Sequence, residues 1–276
     1  MLIDTHCHLD AGEFASDRDA VIARAQQTGV GVIVIPSVEH ANFGVVAALA
    51  QSFPGGAYAL GIHPMYVPRA RDEDLVYLEG CIQAALTDPR FVAIGEIGLD
   101  FFVAELKTPE MAARQEHFYR VQLELAAHYG LPVLLHVRRS QDVLLKHLRQ
   151  CQTVGGIAHA FNGSFQQAHQ FIERGFALGF GGAMTFPRAR QIRRLAEQLP
   201  LEALVLETDA PDLAPAWLGA GSSSARVRNE PAELAGISRE LARLRGVDGA
   251  FLADMTARNA RRALPRLKDA PGARPS

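Results

Sequence analysis

The feature that most constrains this chain is a change of rhythm repeated eight times. Short apolar runs at 3–8, 30–35, 58–62, 91–94, 133–135, 156–158, 176–178 and 203–206 alternate with longer stretches of helical period. Helices are expected over 17–28, 39–52, 72–86, 109–129, 140–150, 164–174 and 188–198, with Ser16 or Asp17 placed to cap the first and Gly29 to end it. Strands that alternate with helices at this spacing join by right-handed crossovers and form a parallel sheet. Eight such units imply a closed (β/α)8 TIM-type barrel, α/β in class. The competing open doubly wound sheet expects a glycine-rich turn after its first strand, and here that turn reads HCHLD. A length of 276 residues with 48% hydrophobic content suits one barrel of about 250 residues. Residues 1–264 are therefore expected to form a single domain with extra C-terminal helices that close its bottom or flank. Residues 265–276, rich in Pro, Gly and Ala, are expected to form a mobile tail.

In a barrel the C-terminal ends of all strands face one mouth. His6 and His8 follow the first run, Glu96 the fourth, His136 the fifth, His159 the sixth and Asp209 the eighth. Alternation along a strand points His6 and His8 the same way and Cys7 the other. Each residue alone reads as a solvated polar group or a helix cap. Together, four of the ten histidines and two carboxylates occupy corresponding positions in separate units, which chance placement does not produce. The set exceeds what one tetrahedral ion needs and suits two divalent metal ions bridged by a carboxylate. The assignment is His6, His8, Glu96 and Asp209 around one ion, and the bridging Glu96 with His136 and His159 around the other. Mixed N/O ligation fits Zn, Mn, Fe, Co or Ni, and weakly retained Mg where waters complete the shell.

The formal net charge of −2 gives no overall positive field for polyanions, so local groups must hold any nucleic acid. Cys7, Cys81 and Cys151 lack metal-knuckle spacing and do not form a disulfide framework, which suits a reducing, cytoplasmic setting. Asp4 and His6 interrupt any N-terminal apolar run and no stretch of 18 apolar residues occurs, so neither a signal peptide nor a membrane span is expected. No obligate protein partner is evident.

Further residues belong near the same mouth. His63 ends the third strand, where it contacts a substrate phosphate or serves a capped turn. Arg138, two residues past His136, is a candidate phosphate clamp, with a surface ion pair as the alternative. Asn162 either holds the scissile group or caps the sixth helix. Asp4 and Glu207 lie one step deeper than His6 and Asp209, where buried carboxylates accept from metal-bound imidazoles or from backbone. Asn229 and Pro231 in RNEP read as the cap and first residue of a helix. The remaining histidines, His40, His117, His128, His147 and His169, fall in helices and read as surface or packing residues.

The segments IDTHCHLD, GIHP, GEIGLDFF, LLHVRRS, HAFNGS, LETDAP and RNEP, in this order and spacing, resemble the TatD family of metal-dependent deoxyribonucleases within the amidohydrolase superfamily. The resemblance covers residues 2 to about 264. It implies a TIM-type barrel and a phosphodiester substrate, with family members described as 3′ to 5′ exonucleases on single-stranded DNA and sometimes RNA. Carried over, the metal positions fall on the six residues already picked out. Phe102 stands where many members have tyrosine, and the segment 214–227 is longer and richer in Ala, Gly and Ser than usual. The mechanism implied is a water shared by two ions and acidified by them, with Asp209 as its proton acceptor and Glu96 as the bridge. A small-molecule amidohydrolase or phosphoesterase would use the same ligands, and a non-catalytic metal-binding protein is the reading outside enzymes. Arg138, Arg139, Arg188 and Arg228 near the expected mouth favour phosphates.

Overall fold

In the computed structural model, which describes residues 1–219 and 227–268, eight parallel strands follow one another around a barrel in chain order. They are β1 (Leu2–Asp4), β2 (Val30–Pro36), β3 (Gly56–Leu60), β4 (Phe91–Asp100), β5 (Val133–Arg138), β6 (Gly156–Ala158), β7 (Phe176–Phe180) and β8 (Leu204–Leu206). Between them run α1 (Arg18–Gln27), α2 (Phe43–Gln51), α3 (Asp72–Ala85), α4 (Pro109–Tyr129), α5 (Gln141–Gln150), α6 (Phe165–Ile172) and α7 (Arg190–Gln198). Regular pairing runs from β1 to β8. The seam between β8 and β1 is joined past the strand ends, by Thr5 N–H to Leu206 O (3.1 Å), Asp209 N–H to His6 O (2.9 Å) and His8 N–H to Ala210 O (2.8 Å).

Two-residue alternation divides each strand between two cores. Ile3, Val32, Val34, Ala57, Ala59, Leu134, Ile157, Ala177 and Val205 fill the barrel interior. Leu2, Ile33, Ile35, Tyr58, Leu135 and Leu178 face the helices. The interior leans on small residues because eight strands leave little room. Two more helices follow the barrel, α8 (Leu234–Arg245) and α9 (Gly249–Ala263). Ala257, Ala260, Ala263, Leu264 and Leu267 join the interior cluster, so α9 and the turn after it plug the end opposite the mouth. Residues 265–268, expected to belong to a mobile tail, form a 3-10 turn there. Its Leu267 is buried and Arg266 donates to Phe91 O, Leu86 O and Asp88 O. The rest of that expectation, 269–276, lies outside the described residues, as does half of the 214–227 segment, residues 220–226.

Several boundaries differ from the sequence reading for local reasons. The helix expected over 39–52 begins as a 3-10 turn at His40–Asn42, because Asn42 Oδ1 accepts from both Val38 N and Glu39 N. Asp17 does not cap α1 with its side chain; it is drawn instead to Arg24 and Arg228. Strands β4 and β5 run to Asp100 and Arg138, well past the apolar runs that announce them. No helix among the described residues is long and apolar enough to cross a membrane.

Candidate metal centre

The mouth is organised by Glu96. Along the β4/β5 ladder Ile94 pairs with Val133 and Ile97 with Leu135, three steps on one strand against two on the other. The extra residue makes a bulge, which re-aims a side chain. Here it carries Glu96 into the mouth, with its backbone N–H held by Ser37 O at 3.0 Å. The two carboxylate oxygens face different partners. Oε2 lies 3.1 Å from His6 Nε2 and 3.4 Å from His8 Nε2. Oε1 lies 2.9 Å from His136 Nδ1, 3.1 Å from His159 Nε2 and 3.3 Å from His63 Nε2. Asp209 Oδ1 is 3.7 Å from the Nε2 atoms of both His6 and His8.

These separations test whether an ion fits. Two ligand atoms about 2.1 Å from one ion, at a tetrahedral angle, lie about 3.4 Å apart. The observed range of 2.9 to 3.7 Å brackets that value. His6, His8 and Asp209 form one compact set, His6, Glu96 and His159 a second, and His63, Glu96 and His136 a third. All six ligands picked out from strand ends are thus brought together.

Charge points the same way. Burial drives His6 down to about 3, helped by His159, and drives His63 down to about 4. Burial also works to raise Glu96, but His63, His6 and His159 outweigh it and hold the carboxyl well below its usual range. Burial opposes charge on His159 as well, yet Glu96 and Asp209 push it well above the ordinary imidazole value. A buried carboxylate at this point demands positive charge beside it, which a divalent cation supplies without protonating the imidazoles. Three buried polar atoms around the cluster, His6 Nδ1, His159 Nδ1 and Glu207 Oε2, have no hydrogen-bond partner.

The neighbouring residues divide more sharply. His63 Nδ1 accepts from Met65 N–H at 3.1 Å, capping the turn Pro64–Tyr66. The neutral ring therefore carries its proton on Nε2, which faces His136 and Glu96 as a donor rather than as a lone pair. The turn reading of His63 holds for one nitrogen, while the other enters the site. Arg138 Nη1 lies 3.6 Å from Asp100 Oδ2, its guanidinium 4.0 Å over the exposed Phe102 ring, and it remains about half exposed. Asn162 is exposed, and α6 is capped by Ser164, which removes the capping alternative for Asn162.

Glu207 continues the inward parity of Val205; its Oε1 accepts from Ala160 N–H and lies 3.6 Å from His159 Nδ1. Asp4 follows the backbone alternative. β1 ends at Asp4, so alternation does not carry to His6, and the carboxylate never reaches the His6 ring. It accepts from Thr208 N–H, Thr208 Oγ1 and His6 N–H, bracing the backbones of two ligand segments. Burial, opposed by those hydrogen bonds, raises the Asp4 carboxyl to about 8. Arg228 is paired with Asp17 by two hydrogen bonds (2.7 and 2.8 Å). Asn229 does not cap the following turn; its amide donates to Thr208 O and Asp212 O, fixing the loop behind Asp209. Sequence reasoning left Asp100 without a role, yet its Oδ2 lies 3.2 Å from His136 Nε2.

A family model described as TatD related DNase matches residues 3–265. The chain belongs to the TatD family. Its TatD relatives include an uncharacterized metal-dependent hydrolase, YjjV, of Escherichia coli strain K12, 42% identical over 212 residues, covering 76% of this chain and 80% of the relative. Another is the 3′-5′ ssDNA/RNA exonuclease TatD of Salmonella typhimurium, 34% identical over 267 residues, covering 94% and 97%. The crystal structure of the E. coli TatD homologue YjjV superposes with a TM-score of 0.86 at 37% identity, covering 96% of this chain and 98% of that one. This TatD chain is accordingly a metal-dependent hydrolase on a TIM-type barrel.

Proposed function

We propose that the protein is an exonuclease that hydrolyses phosphodiesters from the 3′ end of single-stranded DNA, and of RNA, with two divalent cations as cofactors. The observation that carries this reading is the division of Glu96, whose two oxygens each face a separate group of imidazoles. His6, His8, Glu96 and Asp209 would hold one cation, and Glu96, His136 and His159 the other. Cations there supply Lewis acidity toward a phosphoryl oxygen and lower the pKa of a water into the neutral range. Zn, Mn, Fe, Co and Ni suit the donor set, and Mg suits it where waters complete the shell.

The protein's own groups do the rest. Asp209 takes the proton of the attacking water, and its burial raises the carboxyl above its ordinary value, which makes it the better base. His63 offers Nε2–H to a non-bridging phosphate oxygen, since its other nitrogen is committed to Met65. Arg138, anchored by Asp100 and Phe102, presents the outer edge of its guanidinium to the next phosphate, and Asn162 stands at the same rim. Glu207 orients His159, while Asp4 braces Thr208 and the His6 backbone. The three cysteines are free, which supports a reducing, cytoplasmic setting.

The test is end-labelled single-stranded DNA, RNA and a nitrophenyl phosphodiester, each with the metal-loaded protein and with chelator. Chelator-sensitive release of mononucleotides from the 3′ end is expected. Turnover of amides or lactones with no phosphodiester cleavage overturns the reading.

A further inference from the structure

We propose that Asp100 is a positioning residue which locks His136 in its Nε2–H tautomer, so that Nδ1 is the atom turned into the metal centre. The proposal deepens the two-cation reading above and rests on it for its metal readout.

Asp100 is fully buried at the end of β4, beside the strand that carries His136; Gly98 pairs with His136 and Asp100 with Arg138. Its Oδ1 accepts from Phe102 N–H (2.7 Å) and Val103 N–H (3.0 Å). Its own backbone N–H is held by Gln115 Oε1 at 2.8 Å. The carboxylate therefore cannot rotate away. Oδ2 is left facing His136 Nε2 at 3.2 Å and the Arg138 guanidinium at 3.6 Å. Every neighbour is a donor, so the group is an acceptor only, and His136 must place a proton on Nε2. Nδ1 is then the atom left to a metal; without one it lies 2.9 Å from Glu96 Oε1, which competes with Asp100 for the proton.

The opposite end of the chain of contacts gives the same answer independently. Met65 N–H occupies His63 Nδ1, so His63 carries its proton on Nε2, and that atom is 3.0 Å from His136 Nδ1. The donors line up in one direction: Met65 amide to His63, His63 to His136, His136 to Asp100. Two fixed anchors, a backbone amide and a carboxylate, thus polarise the row toward a lone pair on His136 Nδ1, with Glu96 Oε1 as a second acceptor 3.3 Å from His63 Nε2. Carboxylates that orient a metal-binding imidazole in this way typically change metal affinity by about 10–100-fold when lost.

Asp100→Asn inverts the arrangement at nearly constant shape. Its Oδ1 keeps the Phe102 and Val103 hydrogen bonds, and the amide N–H2 now donates to His136 Nε2, forcing the proton onto Nδ1. Two measurements follow on the full chain. In metal-free protein with 15N-labelled histidine, His136 is expected to show a protonated Nε2 in the wild type and a protonated Nδ1 in Asp100→Asn. In calorimetric titration with Co2+, the wild type takes two equivalents, and Asp100→Asn weakens one of them by about 10–100-fold while sparing the other. A protonated Nδ1 on His136 in the wild type, or two equivalents bound by Asp100→Asn with wild-type affinity, overturns the proposal. Should Asp100→Asn fail to fold, the wild-type spectrum alone decides. A wild type that takes up one equivalent while His136 keeps Nε2–H refutes the two-cation reading and leaves the tautomer assignment standing.

Discussion

Gly179 on β7 makes room for Glu207, and replacing it with alanine turns that requirement into a measurable penalty. Gly179 has no positive φ, so alanine costs nothing in backbone strain there. The trouble is steric: the new Cβ would sit 2.5 Å from Glu207 Cδ and 2.8 Å from Oε1, closer still to Oε2. Glu207 is 1% exposed and cannot swing into solvent. Overpacking of this kind costs about 1–3 kcal/mol. Pulling the carboxylate off Ala160 N–H adds about 1–3 kcal/mol for a stranded donor. Taking both together and allowing partial relaxation, Gly179→Ala should lose about 2–4 kcal/mol. At roughly 2–4 °C per kcal/mol for a chain of this size, the melting temperature should fall by about 4–16 °C. The assay is denaturant unfolding of Gly179→Ala, Glu207→Ala and the double variant. In the Glu207→Ala background the added methyl enters vacated space, so the Gly179→Ala penalty should nearly vanish, a coupling of about 2 kcal/mol. Additivity to within about 0.5 kcal/mol would refute the argument, because the clash would then lie elsewhere. Gly44→Ala is the control: it is exposed on α2 with nothing near its Cβ, and should gain about 0.5–1 kcal/mol.

Three further outcomes are expected. Asp209→Ala should lower kcat by about 10²–10⁴-fold with the melting temperature little changed, and near-wild-type turnover would remove Asp209 as the base. Arg138→Ala should raise KM for oligonucleotides more than it lowers kcat; an unchanged KM assigns Arg138 to its contacts with Asp100 and Phe102 alone. Hydrogen bonds from Arg228, then Arg24, hold the Asp17 carboxyl down at about 2, below its usual 3.8. A depressed carboxyl contributes stability that is full above about pH 4 and lost as pH falls through about 2. Asp17→Asn should therefore flatten the acid limb of the unfolding curve in that window, and an unaltered limb would show that this surface network contributes nothing.

The barrel and the convergence of six strand-end candidate ligands were readable because both follow from periodicity. Apolar runs mark the strands, and a parallel barrel sends every strand end to one mouth, so His6, His8, Glu96, His136, His159 and Asp209 need no coordinates to be grouped. What was not readable depends on single-residue departures from that period. The bulge at Gly95 and Glu96 shifts parity along β4, so the inward set continues as Glu96, Gly98 and Asp100 beside His136 and Arg138, and Asp100 acquires a partner. The spacing of polar and small residues in GEIGLD is a trace of this in the sequence, visible only once the bulge is known. For Asp4 the choice between imidazole and backbone was left open because its strand stops at that residue, and parity says nothing beyond a strand's end. The pairing of Arg228 was not readable because its partner, Asp17, is 211 residues away and no local pattern joins them.

Asp209 shows why fold and site cannot be separated in this chain. It adopts φ 55°, a left-handed conformation that carries a modest cost for a residue with a side chain. That conformation is held from several directions: Asp209 N–H is bonded to His6 O, Asp212 N–H to Asp209 O, and the flanking Thr208 is gripped by Asp4 and Asn229. One of these, Asp209 N–H to His6 O, also closes β8 onto β1, where pairing is carried by this bond with Thr5 N–H to Leu206 O and His8 N–H to Ala210 O rather than by a long ladder. Backbone atoms of the ligand residues thus shut the barrel while their side chains converge on Glu96. A substitution that relaxes the Asp209 turn must open the seam, and one that opens the seam must carry Asp209 away from His6 and His8. Asp4, buried and hydrogen-bonded to the backbones of His6 and Thr208, is the carboxyl that ties these two demands together, which accounts for an acid at that depth.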